Sequence, residues 1–425
     1  MAEIAPFRGI LYDTAHVRGD DVLAPPYDVI DAAMRRALSQ KSDRNCVGLI
    51  LPEGEGDDKY TAAAHTMAAW LKDGTLRRDP VPAFYRYHQQ FSVAELGAAV
   101  VTRRGFIAQV KLHDFADGVI LRHEKTLSGP KADRLKLMTA TEAHLSQIFA
   151  LYADPAGVID DALAAVDCEV PVLDATTDDG TRHLLWRVTD PAAIARVTGE
   201  MAQKSLYIAD GHHRYETMLA LRDRFGGPAA FGTMFLANMD DPGLVVLPTH
   251  RLVFGLASFS ADALLADMAA WFSCEPLERT DDAAFVLAEL AKAGAVRPSL
   301  AAIFPDGRGV LCSLRADFDA AAAGLDVHPA VARLDVTLLH SLILERSLGI
   351  TPKAQEAQAH LSYFKDTGDA LARIAAGKGQ VCFVMNATPV DQVTAVADAG
   401  QVMPQKSTFF YPKIASGIVF RSLAS

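Results

Sequence analysis

Residues 210–214 read Asp-Gly-His-His-Arg, which puts one carboxylate, two imidazoles and one guanidinium on five consecutive positions. The run before them, Leu206 to Ala209, has the composition of a buried strand. From Tyr215 the pattern turns helical, with Met218, Leu219 and Leu221 on its apolar side and Arg222 and Arg224 near its end. Asp210-Gly211 is read as a turn and helix N-cap, so His212, His213 and Arg214 fall in the first turn of a helix that follows a strand. The first N–H groups of such a helix lack intrahelical acceptors, and the positive end of its dipole lies there. With added guanidinium and imidazole donors, this describes an anion site, most often for phosphate. The competing reading is a polar helix start with Arg214 paired to Glu216 or Asp210. Chelation by His212 and His213 is disfavoured, because helical His pairs that share a metal are spaced i, i+4.

A second concentration lies at 122–134, where Arg122, His123, Glu124, Lys125, Lys131, Asp133 and Arg134 crowd one loop between a strand and a helix. It is not a zincin motif, since Leu127 stands where the second His is required. Lys131 and Arg134 are three apart and could face one anion together. Glu124 or Asp133 could act as base or hold Mg²⁺. Tyr27 and Asp28 follow Pro25-Pro26, whose fixed φ makes that segment extended. Thr249-His250-Arg251 follows a strand and a Pro, and Lys406-Ser407-Thr408 with Pro412-Lys413 could cover a polar site. No Walker A, Gly-x-Ser-x-Gly or dinucleotide Gly-x-Gly-x-x-Gly pattern occurs.

The elements that must position these groups alternate along the chain. Short apolar runs, among them Ala83–Ser92, Gly105–Leu112, Val47–Leu51 and Phe231–Asn238, read as strands. Lys59–Leu71 and Asp335–Leu348 read as helices, as does the chain from Leu135 onward, and Thr139 with Glu142 has capping-box spacing for a following helix. A turn is expected around Glu95–Gly97. The implied fold is a mixed α/β protein of two or three subdomains, divided at loops into 1–150, 151–258 and 259–425.

The chain has 425 residues, half of them hydrophobic, with 41 basic and 52 acidic side chains and a net charge of −11. This is ordinary globular composition without the basic face that nucleic acid requires. The five cysteines, 46, 168, 274, 312 and 382, are scattered and lack Cys-x-x-Cys, so reduced thiols are expected rather than a disulfide framework or zinc site. No signal peptide or membrane-spanning run is read, and a cytoplasmic protein without membrane or nucleic-acid partners is expected, its oligomeric state open.

Taken jointly, Ala24-Pro25-Pro26-Tyr27-Asp28-Val29, His123-Glu124-Lys125-Thr126, Pro130-Lys131-Ala132-Asp133-Arg134, Ala209 to Glu216 and the Lys406-Ser407-Thr408 ending resemble the domain-of-unknown-function 1015 family, in order and over essentially the whole chain. The Asp-Gly-His-His-Arg element is similar to the phosphate-binding turn of the ParB/sulfiredoxin superfamily, which includes free-serine kinases. The resemblance implies a ParB/sulfiredoxin-like core around 200–255. It also implies phosphoryl transfer involving serine or O-phosphoserine, acting as serine kinase or phosphoserine phosphatase in serine metabolism. It carries to Asp210, Gly211, His212, His213 and Arg214. No Cys occupies the turn, which disfavours sulfiredoxin chemistry, and the charge disfavours ParB-like DNA binding.

The expected site therefore joins 24–28, 122–134, 210–214 and 249–251 in one cleft. Arg214, Lys131, Arg134, His250, Arg251 and Lys406, with Asp210 and Gly211, would bind phosphate or nucleotide. His212 or His213 would donate a proton, with His123 beside them. Glu124 is the first choice of base, and Asp28 or Asp210 the alternatives. The partner would be a small phosphorylated substrate, with ATP or ADP as the nucleotide and Mg²⁺ held by Glu124 or Asp210. The alternative function is a nucleotide- or phosphometabolite-binding regulator without turnover. Loss of Arg214 is expected to cost activity and leave folding intact, since an anion site stabilises little without its ligand.

Overall fold

The computed structural model describes residues 1–93, 97, 99–125 and 129–424, apart from the side chains of 129 and 130. The turn expected at Glu95 and the motif residue Thr126 lie outside the described residues. The protein is mixed α/β and divides into two compact units. The first is Met1–Arg122, Thr126–Val245 and Pro412–Ser425, and the second His123–Lys125 with Val246–Tyr411.

Nine described strands of the first unit form one mixed sheet: β1 (Ile4–Ala5), β2 (Phe84–Ser92), β3 (Val100–Lys111), β4 (Ile120–Leu121), β5 (Ile148–Tyr152), β6 (Leu173–Thr176), β7 (Arg182–Val188), β8 (Leu206–Asp210) and β9 (Phe231–Asn238). Their order is β4-β8-β5-β9-β3-β2-β7-β6, and β1 pairs with β3. The helices used below are α1 (Ala32–Lys41), α2 (Asp58–Lys72), α3 (Gly129–Thr141), α4 (Pro191–Met201) and α5 (His212–Phe225). Strand side chains alternate between faces, so Phe106, Ala108, Val110, Ile148, Ala150, Met234 and Leu236 line one face. Against it pack Tyr215, Met218 and Leu221 of α5, three apart on one side of the helix. The opposite face carries the alternate residues, among them Tyr87, Gln89, Arg103, Phe149 and Phe235.

The expected boundary near 150 falls inside β5, whose hydrogen-bonded neighbours are β8 and β9, so residues on both sides of it share one sheet. Val47–Ile50 is a helix where a strand is expected from sequence; a short apolar run carries no decisive period. Helix α3 starts at Gly129, ahead of the expected Leu135, because proline is tolerated in a first turn. Thr139 lies inside α3, and Glu142, at φ 45°, leads into a strand at Ala143–His144 rather than a helix. The Thr139–Glu142 spacing is thus no capping box.

The second unit is built on six described strands: β10 (His250–Val253), β11 (Phe272–Pro276), β12 (Ser299–Ile303), β13 (Gly309–Leu314), β14 (Leu361–Phe364) and β15 (Val381–Met385). The order is β11-β13-β12-β15-β10-β14, antiparallel throughout. The unit's main segment begins at Val246. Helices α6 (Ala261–Met268), α7 (Ala283–Gly294), α8 (Asp335–Leu338), α9 (Thr367–Ala375) and α10 (Val390–Asp398) accompany it. The long helix expected over 335–348 is α8 followed by a π-helix, Leu339–Ser347. Among the described residues no helix is long and apolar enough to cross a membrane.

Two outcomes are expected. A Cβ on Gly105 in β3 would lie 2.5 Å from the Phe235 ring and closer still to the Leu236 carbonyl of β9. Gly105→Ala should cost on the order of 1–3 kcal/mol in chemical denaturation, because backbone cannot yield as a flexible side chain does. Burial holds His88, His144 and His340 down to about 3, and His183 and His250 to about 4. An unfolded imidazole titrates near 6.5, so these groups contribute stability that is full above pH 6.5 and lost as pH falls toward their folded values. Unfolding free energy measured against pH should fall below 6.5 by about 1.4 kcal/mol per pH unit for each histidine involved. A flat profile from pH 6.5 to 4.5 would contradict their burial.

Candidate functional site

The site in the first unit is set by one irregularity. Pairing of β8 with β5 shifts register between Ile208 and Asp210, which face Ala150 and Phe149 respectively. Such a bulge re-aims a side chain. Asp210 therefore turns to the face of Phe149 and Arg103, instead of following Ile208 into the apolar core. Gly211 comes next at φ +94°, a conformation strained for L side chains, and the Arg214 guanidinium lies 3.1 Å from where a Cβ would stand. Helix α5 begins at His212. Asp210 does not cap it: the cap residue is Gly211, without a side-chain bond.

Asp210 is instead an ion-pair hub. Its Oδ2 accepts from Arg214 Nη2 at 2.5 Å, and its Oδ1 from Lys413 Nζ. Arg214 also donates to the Gln147 carbonyl. The cations Lys413 and Arg214, with His212, outweigh burial and hold the Asp210 carboxyl well below the usual carboxylate range. Beside it, Arg103 is fully buried over the Phe149 ring at 4.6 Å and donates to Gln89 and to the Pro412 carbonyl. Gln89 donates to the Lys413 carbonyl at 3.0 Å. Burial pulls the Arg103 pKa down to about 10. The strap at 412–416 is thus fastened to the sheet by side chains of β2 and β3. Ser416 then pairs with Ala24 in an antiparallel bridge, which sets Pro25-Pro26-Tyr27 beside Lys413.

A pocket of 310 Å³ opens there, lined by Pro25, Pro26, His183, Lys413 and Ala415, with Asp20, Asp178, Asp179 and Lys41 around it. His183 is fixed by Tyr87, at 2.6 Å on Nδ1, and by Thr177, at 2.9 Å on Nε2. On the other side of the Tyr27 segment, Tyr27, Arg134 and Arg214 line a cavity of only 20 Å³, about the room of one water. Arg134 lies 4.3 Å from the Tyr27 ring centroid and donates to the Ile50 carbonyl and to Asp133. Asp28 is exposed in the 3-10 turn Tyr27–Val29. His213 is half-buried and His212 buried at the start of α5.

The expected residues fall into two groups, one in each unit. In the first unit the structure brings Tyr27, Arg134, Asp210 and Arg214 together. Lys131 is engaged with Glu216, which also receives Arg122 at 3.2 Å, so Lys131 and Arg134 do not point at one shared anion. In the second unit, Lys406 N–H donates to Glu124 at 3.3 Å, His123 Nε2 lies 2.9 Å from Thr408 Oγ1, and Arg251 donates to the Lys406 and Thr249 carbonyls. Arg251 lines a 360 Å³ pocket with Asp335, Asn386, Thr388 and Ser407. His250 does not fit a phosphate ligand. Its Nε2 contacts Thr367 at 2.9 Å and its Nδ1 accepts from Met385 N–H, so both ring nitrogens serve the core. Asp210 as a Mg²⁺ ligand does not fit either, because both oxygens are engaged by cations. Among the described residues no cluster of three metal-ligating side chains occurs.

Sequence reasoning missed Arg103, Gln89 and His183, and placed Lys413 only in the tail. No local period marks them: along their strands Gln89 shares its face with Tyr85 and Tyr87, and Arg103 with Gly105 and Ile107.

A family model described as "Protein of unknown function (DUF1015)" matches residues 4–337. Among solved structures the chain is similar to a conserved hypothetical protein from Pyrococcus furiosus, at 13% identity and TM-score 0.35 over 70% of this chain and 89% of that one. It is similar to a mutant free serine kinase in complex with ADP, at 10% identity and TM-score 0.36 over 69% and 84%. A third similarity is to SbnI with C-terminal truncation from Staphylococcus aureus, at 10% identity and TM-score 0.36 over 73% and 85%. No curated protein matches the chain.

Breaking a buried ion pair from one side leaves an uncompensated charge and typically costs about 3–5 kcal/mol. Asp210→Asn should therefore lower unfolding free energy at pH 7 by about that amount. Arg214→Ala should also destabilise, which replaces the expectation of an intact fold, since Arg214 is buried against Asp210. The Asp210 folded pKa lies below its unfolded value near 3.9, so its stabilisation is present above that pH and lost as pH falls. The gap between wild type and Asp210→Asn, read by urea titration at each pH, should narrow below pH 4.

Proposed function

We propose that this chain, which belongs to the DUF1015 family, transfers phosphoryl groups to or from a small hydroxy amino acid of the serine/O-phosphoserine class. The observation that carries the reading is the position of Lys413. Its Nζ pairs with Asp210 at the start of α5, and the residue is also part of the wall of the 310 Å³ pocket. That pocket is lined by Asp20, Asp178 and Asp179 and by Lys41 and Lys413, with Lys41 bonded to Asp178 at 2.7 Å. Groups of both signs around a small space complement a zwitterion, whose ammonium needs carboxylates and whose anionic end needs a cation.

Phosphoryl transfer asks mainly for alignment and neutralisation of charge on the moving group. In this reading the first-turn N–H groups of α5, Arg214 and Lys413 neutralise the phosphoryl oxygens. Asp210, held ionised by two cations, is too weak a base to take a hydroxyl proton. Its role is to aim Lys413 and Arg214. His213 or His212 moves the proton, as an imidazole that ordinarily titrates near neutrality. Glu124, the first choice of base from sequence, and His123, named beside it as catalytic, belong to the second unit, and the reading rests on the first. A nucleoside triphosphate is the proposed donor in the kinase direction.

Phosphorus NMR of purified protein with O-phosphoserine, alone and with ADP and Mg²⁺, tests the proposal. Growth of inorganic phosphate or of ATP, stopped by Lys413→Met, is the expected result. Turnover should fall on the order of 10²-fold or more, the loss seen when one transition-state donor is removed. Circular dichroism of Lys413→Met separates this loss from unfolding. Saturable binding of O-phosphoserine with no phosphorus change would overturn the enzyme reading in favour of a binding protein.

A further inference from the structure

The second unit contains a pocket of 240 Å³ that the proposed function does not use. One wall is the π-helix Leu339–Ser347 with the end of α8. π-helical turns are rare and concentrate at functional sites. His340, on this turn, is buried, and its ring is held by Gln355: Nδ1 lies 2.8 Å from Gln355 Oε1. The amide is fixed in turn, since Gln355 Nε2 donates to the His340 carbonyl at 3.2 Å and the Ile350 carbonyl at 2.8 Å. Oε1 is then the acceptor, Nδ1 carries the hydrogen, and Nε2 presents a lone pair.

Among the described residues that Nε2 has no hydrogen-bond partner, and neither has the hydroxyl of Thr337, one turn earlier and also buried. Both residues line the pocket. Two unsatisfied buried polar groups facing one space are costly unless something there bonds them. Burial, reinforced by the Arg251 charge, holds the His340 pKa down to about 3, so the ring stays neutral and Nε2 remains an acceptor. Exposed Glu345 and Glu356 stand at the same pocket with one cation, Lys125. Val331, Pro352 and Val402 supply apolar wall.

We propose that this pocket is a binding site for a small ammonium-bearing metabolite, whose N–H or O–H donates to His340 Nε2 and Thr337 and whose charge faces Glu345 and Glu356. The volume suits a compact molecule rather than a nucleotide. The site stands on residues of the second unit and does not depend on the phosphoryl-transfer reading.

The test uses the full chain labelled with ¹⁵N-histidine and ethanolamine as probe, with glycerol and acetate as neutral and anionic controls. Saturable movement of the His340 Nε2 resonance by ethanolamine alone is expected. Glu345→Gln with Glu356→Gln, both on the exposed rim, should weaken it by about tenfold, the sum of two modest exposed charge interactions. Isothermal titration calorimetry of His340→Phe, which lacks the reporting resonance, should show ethanolamine binding abolished; if the variant fails to fold, the rim variants still decide. No shift with ethanolamine would mean that solvent alone fills the pocket and would overturn the proposal. An equal shift with glycerol or acetate would overturn its charge assignment.

Discussion

The carboxylate of Asp210 takes Arg214 on one oxygen and Lys413 on the other, and the candidate site of the first unit is organised around those two bonds. One joins a strand end to the helix that follows it. The other reaches 203 residues along the chain to the C-terminal strap. Removing a charged group from water is costly, and only such close, opposed partners make its burial tolerable. With Asp210 half-buried on the face of Phe149 and Arg103, Lys413 pairs with it and the strap lies alongside.

Arg103 and Gln89 make that arrival specific. Arg103 donates to the Pro412 carbonyl and Gln89 to the Lys413 carbonyl, so the strap is held by its backbone as well as by its charge. The Ser416–Ala24 bridge then carries the order on to Pro25-Pro26, where the fixed φ of proline leaves the chain few alternatives. The pocket beside Lys413 is bounded by segments that are rigid for different reasons: proline geometry, a strand bridge and a buried ion pair. A site built this way presents its cation without a large entropic penalty on binding.

The second unit follows another rule. Its polar groups are spent on internal order, as His250 is between Thr367 and Met385, or are left facing space, as His340 and Thr337 are. His340 stands on the π-helical turn and Thr337 at the end of α8 just before it, and both line the 240 Å³ pocket.

Sequence alone determined what is local. The apolar run at 206–209, the glycine at 211 and the helical period after Tyr215 specify strand, turn and helix, because φ/ψ preference and side-chain period act over a few residues. The joint motifs 24–29, 130–134 and 209–216 specify the family in the same way. Tertiary structure decided what depends on register and distance. A one-residue shift against β5 chose the face of Asp210, and thereby turned an expected helix cap into an ion-pair hub. Lys413, unremarkable in a tail, became its partner, and His250, a plausible ligand in sequence, became core. Val47–Ile50 folded as helix and 339–347 as π-helix, since short apolar runs take the form their packing favours. Local physics writes the elements; which side chains meet is fixed by pairings hundreds of residues apart, which no local pattern encodes.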